Sequence, residues 1–240
     1  WASDPEIQGV YANRDYEPYA GERDDAVARL YREAGKWSKW SKDHVLMEPK
    51  EVLKDDGTPY TVFTPYSRKW RSHFTPDHIM PYPTPRGGWN AGHAPYAMPT
   101  LEEMGFKAQD RSVPHRDIPL AVLDAYESKR NFPALPNGTT RLGVHLRFGT
   151  ISIRSLARAA YPDHTKFLTE LIWRDFYQMI LKHFPESPKK AIKPAYDRIV
   201  WEANEDHFTA WCQGKTGYPL VDAGMRELNA TGFMHNRVRM

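Results

Sequence analysis

The sequence predicts an α/β segment, then a long proline-rich connector, then an all-α segment. Three observations carry this. The first fifty residues run strand, helix, strand; residues 48–119 hold eleven of the twenty prolines; and from about Asp117 apolar residues recur with helical spacing. The boundaries follow as residues 1–52, 53–116 and 117–240.

Residues 6–14 read as a short strand entering a polar turn. Residues 23–36 place Val27, Leu30 and Tyr31 on one helical face, and His44-Val45-Leu46-Met47 reads as a second strand. The connector centres on Pro81-Tyr82-Pro83-Thr84-Pro85-Arg86-Gly87-Gly88, and such proline density argues against long regular elements. Tyr60, Phe63, Tyr66 and Trp70 are expected to anchor it against the folded parts. Helices are expected over 120–129, 152–160, 165–183, 208–213, 220–229 and 234–240. The longest, 165–183, has its core face at Phe167, Leu168, Leu171, Ile172, Phe176 and Ile180.

Composition narrows the class. The chain has 240 residues, 40% of them hydrophobic and 26% charged, which suits a globular protein with a sizeable core. No run approaches the roughly 18–20 apolar residues of a membrane span. The single cysteine, Cys212, excludes a disulfide framework and a cysteine-based zinc finger. Low cysteine use and the lack of a visible signal peptide fit a cytoplasmic location. A start at Trp1 and an end at Met240, inside an expected helix, suggest an internal piece of a longer protein. The net charge of +3 is uneven: residues 1–125 carry 16 Lys+Arg against 19 Asp+Glu, and residues 126–240 carry 17 against 11. The second half is the better candidate for meeting a polyanion.

Three constellations point to chemistry. Glu170, Trp173, Arg174 and Tyr177 stand at i, i+3, i+4 and i+7 on the long helix. They form either an amphipathic surface with an incidental tryptophan or a platform that stacks a flat ligand and hydrogen-bonds its edge. Gly138-Thr139-Thr140-Arg141-Leu142-Gly143 is either a turn before a Thr-capped helix or a phosphate cradle of hydroxyls and backbone N–H groups. Gly232-Phe233-Met234-His235-Asn236-Arg237-Val238-Arg239-Met240 gathers two arginines, a histidine and an amide at a helix start. His235 there is either a satisfied near-core histidine or part of a site. No metal-ligand spacing, catalytic triad or P-loop occurs.

Together these stretches resemble the DNA photolyase/cryptochrome family, most closely the class I photolyases of cyclobutane pyrimidine dimers. The motifs are Val62-Phe63-Thr64-Pro65-Tyr66, Thr139-Thr140-Arg141-Leu142, Glu170-Leu171-Ile172-Trp173-Arg174-Asp175-Phe176-Tyr177, Gly214-Lys215-Thr216-Gly217-Tyr218-Pro219 and Met234-His235-Asn236-Arg237-Val238-Arg239-Met240. The likeness runs the length of the chain. It implies the tail of a Rossmann-like antenna domain, the connector, and the first part of an all-α FAD-binding domain.

The resemblance also implies roles. Tyr126 and Thr139, Thr140, Arg141, Leu142 and Gly143 match flavin-phosphate contacts. Arg174, Asn236 and Arg239 match residues lining the flavin cavity. Glu170, Trp173 and Asn236 match the catalytic pocket that receives a flipped-out dimer. Arg130, Arg174, Tyr177, Arg237 and Met240 join Glu170, Trp173 and Asn236 in contacts to damaged DNA. Trp201 matches the outer member of the tryptophan chain that photoreduces the flavin, or is otherwise a plain core or surface tryptophan. No metal is implied. The cofactor is FAD, with a folate or deazaflavin antenna expected in the full-length protein. A monomer acting on UV-damaged DNA, with no membrane partner, is expected. The implied activity is that of a deoxyribodipyrimidine photo-lyase, with remaining flavin contacts and inner tryptophans beyond Met240, so the 240 residues alone are expected to bind FAD poorly. The alternative is a cryptochrome, a flavin photoreceptor acting through protein partners; Trp173 and Asn236 argue for repair. A basic helical DNA-binding module without cofactor is a third possibility, and it leaves the order of the motifs unexplained.

Overall fold

The computed structural model describes residues 2–83, 97–107 and 113–239. They divide into two compact units, residues 1–80 with 116–203 and residues 81–115 with 204–240.

In the first unit, strands β1 (Gly9–Asn13) and β2 (Trp37–Ser41) pair in parallel, Gly9 opposite Trp37 and Asn13 opposite Ser41. Helix α1 (Pro18–Glu33) joins them. Pro18 opens α1, where its missing N–H costs nothing. The helix ends on Gly35 at φ +71°, with the N–H groups of Gly35 and Lys36 returning to the carbonyls of Arg32 and Tyr31. Gly9 has no substitute: a Cβ there would lie 2.2 Å from the Trp37 ring.

The second strand is therefore 37–41, and the expected strand at His44–Met47 does not form. That apolar run is irregular backbone, and Val45, Leu46 and Met47 are buried. The N–H groups of Leu46 and Met47 go to the carboxylate of Asp175 instead of to a neighbouring strand.

The proline-rich stretch holds a regular element after all. Helix α2 (Phe63–His73) runs eleven residues. Pro65 is its third residue, within the first turn, where a backbone N–H has no helical partner to lose. Tyr66 and Trp70 are wholly buried, and Phe63 and Phe74 pack against the same core. A turn of 3₁₀ helix, Pro76–Ile79, follows. The centre of the stretch, from Thr84 onward to residue 96, lies outside the described residues.

The remaining helices of this unit are α3 (Leu120–Asp124), α4 (Tyr126–Lys129), α5 (Gly143–Phe148), α6 (Ile153–Ala160) and α7 (Thr165–His183). The single helix expected over 120–129 is broken at Ala125. Helix α6 is capped by Ser152, whereas α5 has no side-chain cap, so the Thr-capped helix is not what forms. Helix α7 has the expected bounds. All six expected core residues are buried, joined by Met179 and Asp175.

The second unit contains α8 (Glu205–Cys212), α9 (Pro219–Thr231) and α10 (Asn236–Arg239). Asn204 caps α8 by accepting from the His207 N–H at 3.0 Å. Asp222 draws the preceding loop onto α9, accepting from the Thr216 N–H (2.7 Å) and hydroxyl (2.6 Å) and the Gly217 N–H (3.0 Å). Arg226 Nε donates to the Gly214 carbonyl and Asn229 Nδ2 to that of Cys212, fastening α9 to α8.

Candidate functional site

On the first unit, α4 and α7 bring Tyr126, Arg130, Glu170, Trp173 and Tyr177 together. Arg130 pairs with Glu170 through Nη1 and Oε1, and its guanidinium lies 5.4 Å from the Tyr126 ring centroid. Tyr126 is itself buried, edge-on to Phe167 at 5.1 Å. A half-buried ion pair stacked on an aromatic ring is held far more firmly than an exposed one. Trp173 is half-buried. Phe63 lies flat against it, with ring centroids 3.5 Å apart and planes 5° apart, and Tyr177 lies alongside at 5.6 Å. Tyr177 is exposed. The patch offers a fixed indole, a carboxylate and an exposed phenol on one surface.

Arg174 turns away from this cluster. Its guanidinium donates to the carbonyls of His44 and Leu146. It lines a polar cleft of about 250 Å³ with Asp15, Arg23, Asp43, His44 and Arg147. Burial lowers the pKa of Arg174, and burial together with the Arg174 charge lowers that of His44. The i, i+4 spacing places Arg174 near Glu170 by angle, but the long side chain reaches round to a different partner.

Asp175, next along, was not anticipated as a key residue. It is 1% exposed and accepts from the Leu46 N–H (3.3 Å), the Met47 N–H (3.0 Å) and Trp70 Nε1 (3.0 Å). Burial pushes its carboxyl up to about 6, against the pull of the Met47 N–H, the Trp70 indole N–H and the Arg174 charge.

The loop before α5 runs from buried Gly138 through half-buried Thr139, Thr140 and Arg141 to buried Leu142 and exposed Gly143. Arg141 has φ +53°, among the described residues the one non-glycine at positive φ. Leu142 follows at φ −77°, ψ 3°. Left-handed residues next to right-handed ones are the backbone pattern from which anion nests are built, and strain of this kind collects at functional sites. The Thr140 hydroxyl also accepts from the Leu142 N–H at 3.5 Å. Trp201 is 78% exposed.

In the second unit Asn236, Arg237 and Arg239 are exposed on α10. Arg239 donates to the Met234 carbonyl. His235 is buried, its Nδ1 accepting from the Arg237 N–H at 3.0 Å, so the satisfied-histidine reading applies to that nitrogen. Met240 lies outside the described residues. Among the described residues no cluster of three metal-ligating side chains occurs, and no helix is long and apolar enough to cross a membrane.

Residues 1–86 match the family model described as DNA photolyase, and residues 167–240 match the FAD binding domain of DNA photolyase. The chain belongs to the DNA photolyase/cryptochrome family. A deoxyribodipyrimidine photo-lyase of Synechococcus is 34% identical over 264 residues, covering 98% of this chain and 54% of that protein. A bacterial class III photolyase from Agrobacterium tumefaciens superposes with a TM-score of 0.76 at 30% identity, covering 98% of this chain and 53% of that one. An archaeal photolyase from Sulfolobus tokodaii, solved with two FAD molecules, gives 0.74 at 29% identity over 98% and 52%. The chain thus spans about half the length of the curated photolyases it matches. The FAD-binding match covers α7 from Phe167 onward, so Glu170, Trp173, Arg174 and Asp175 all stand in photolyase flavin-domain sequence.

Within this photolyase sequence, the reading of Phe63 went no further than an anchor of the connector, and Asp175 was missed. Phe63 carried a signal, an aromatic one helical turn before Tyr66 and two before Trp70. Asp175 carried none, since its partner Trp70 is 105 residues away.

Proposed function

We propose that this chain is part of a light-driven enzyme repairing cyclobutane pyrimidine dimers in DNA. The observation that carries the reading is the braced Trp173 beside the Glu170–Arg130 pair, a flat stacking surface with a carboxylate at its edge, in photolyase sequence. A dimer extruded from the duplex stacks on Trp173, and Glu170 hydrogen-bonds a base edge there. Arg130 orients Glu170, and exposed Arg237 presents positive charge to the DNA backbone. Asn236 and Arg239 keep the pocket and flavin roles that the resemblance implies.

The residues present fit FAD. The loop around left-handed Arg141, with the Thr139 and Thr140 hydroxyls, offers a donor set for a pyrophosphate. Bound FAD supplies one-electron donation from its excited, reduced state; the protein supplies position and electrostatics. Exposed Trp201 is proposed as the outer relay that reloads the flavin with electrons. A folate or deazaflavin antenna completes the proposal.

The test is blue-light-dependent loss of thymine dimers from an oligonucleotide, using the parent protein extended past both ends, with a dark control. Restored thymines are the expected result. A flavin-loaded protein that leaves the dimers intact points instead to a cryptochrome or to another lesion. Trp173→Ala should weaken binding to dimer-containing DNA by roughly 1–3 kcal/mol and leave affinity for undamaged DNA nearly unchanged. Arg237→Ala should lower both affinities and flatten the salt dependence.

A further inference from the structure

Phe63 stands on α2, not on the helix that carries the proposed lesion platform, yet its ring is the nearest neighbour of that platform. The Phe63 and Trp173 centroids are 3.5 Å apart with planes 5° from parallel. Aromatic quadrupoles disfavour such a face-to-face sandwich relative to offset or edge-on packing. The surroundings therefore impose it. Phe176 stands edge-on to both rings, 5.8 Å and 80° from Phe63 and 5.8 Å and 82° from Trp173. Tyr66 packs on Phe176 at 5.2 Å, and Tyr66 and Trp70 hold α2 to the core with no exposure at all. Trp173 itself sits on the partly exposed side of α7, between Glu170 and Tyr177. On its own helix the aromatic partners of the ring are Phe176 and Tyr177.

We propose that Phe63 is the positioning residue of the Trp173 platform. It closes one face of the indole and fixes its rotamer, so that a flipped pyrimidine meets only the remaining face and edge. The proposal deepens the repair reading and rests on it. Preorganisation of this kind raises affinity for the flipped lesion without touching the backbone contacts that undamaged DNA also makes.

The decisive experiment reads Trp173 directly. The chain has eight tryptophans, so it is labelled with 5-fluorotryptophan and the Trp173 resonance is assigned by its loss in Trp173→Phe. Wild-type protein should show one narrow resonance. Phe63→Ala should shift and broaden or split it, Phe63→Leu should do the same with the apolar volume largely kept, and Phe63→Tyr should restore a single narrow line. In parallel, duplex oligonucleotides with and without one thymine dimer are titrated onto the parent protein and its variants. The ratio of the two affinities should fall about two- to tenfold in Phe63→Ala and Phe63→Leu, the span of one aromatic pair, and return in Phe63→Tyr. The affinity for undamaged DNA should not move.

An unchanged Trp173 resonance in Phe63→Leu overturns the proposal, and so does an equal loss for both DNAs. If Trp173→Ala leaves the affinity ratio intact, the repair reading fails. If Trp173→Ala lowers the ratio and Phe63→Leu does not, the positioning role alone fails.

Discussion

Replacing Asp175 by asparagine gives the sharpest test of how the first unit is held together. The carboxyl is fully buried and accepts three hydrogen bonds, two from backbone N–H groups of Leu46 and Met47 and one from the Trp70 indole. Burial raises it from 3.8 to about 6. A shift of that size corresponds to about 3 kcal/mol. The sign follows from linkage. Because the folded-state value lies above the unfolded one, the folded state binds the proton more tightly. The resulting stability is fully present below the unfolded value and is lost as pH rises through about 6. Raising the pH from 4 to 7 should therefore cost wild-type protein about 2 kcal/mol from this group alone. Asp175→Asn cannot titrate and should lack that component. The assay is urea unfolding followed by tryptophan fluorescence at pH 4, 5, 6 and 7 for both proteins. The wild-type advantage should shrink, or the variant's relative stability rise, by about 2 kcal/mol across the range. Parallel pH profiles would refute the buried-carboxylate reasoning.

Other substitutions test neighbouring devices. Arg174→Ala removes both donors to the His44 and Leu146 carbonyls, and unfolding in urea should show a loss of about 2 kcal/mol, the scale of a hydrogen bond to a charged group. Arg174→Lys should not recover it, because an ammonium lacks the planar fork that reaches two carbonyls. Gly224→Ala places a Cβ 2.4 Å from Val238 Cγ1, and thermal unfolding of the α9–α10 pair should show a loss of about 1–3 kcal/mol from overpacking.

Legibility in the sequence followed the range of the interactions involved. Helix α7 was readable to the residue because its apolar positions repeat with a helical period over nineteen residues. Helix α2 was hidden by Pro65: a proline inside an apolar run reads as a breaker, and only the true start at Phe63 shows that it sits harmlessly in the first turn. His44–Met47 has the apolar run of a strand, but its donors are claimed by a side chain 128 or more residues away. The site divides the same way. Glu170, Trp173 and Tyr177 share a face as their spacing requires, and the partnership of Glu170 with Arg130 joins two stretches read separately. Arg174 had the right angle and a different destination. Asp175 reads as one more surface charge until Trp70 and the 44–47 backbone are seen around it.

The ordering of residues 173, 174 and 175 limits how this protein can change. Trp173 serves the exposed platform, Arg174 clasps the carbonyls of His44 and Leu146, and Asp175 receives the N–H groups of Leu46 and Met47. Three successive residues of one helix answer to three separate neighbourhoods. Each added or deleted residue rotates everything beyond it by about 100°. A one-residue insertion between 173 and 175 would leave every side chain type in place and still swing the carboxylate away from its donors. Side chains along this turn can be exchanged one at a time, each at its own cost, but its length cannot change, and a family carrying this arrangement should place its insertions and deletions anywhere but here.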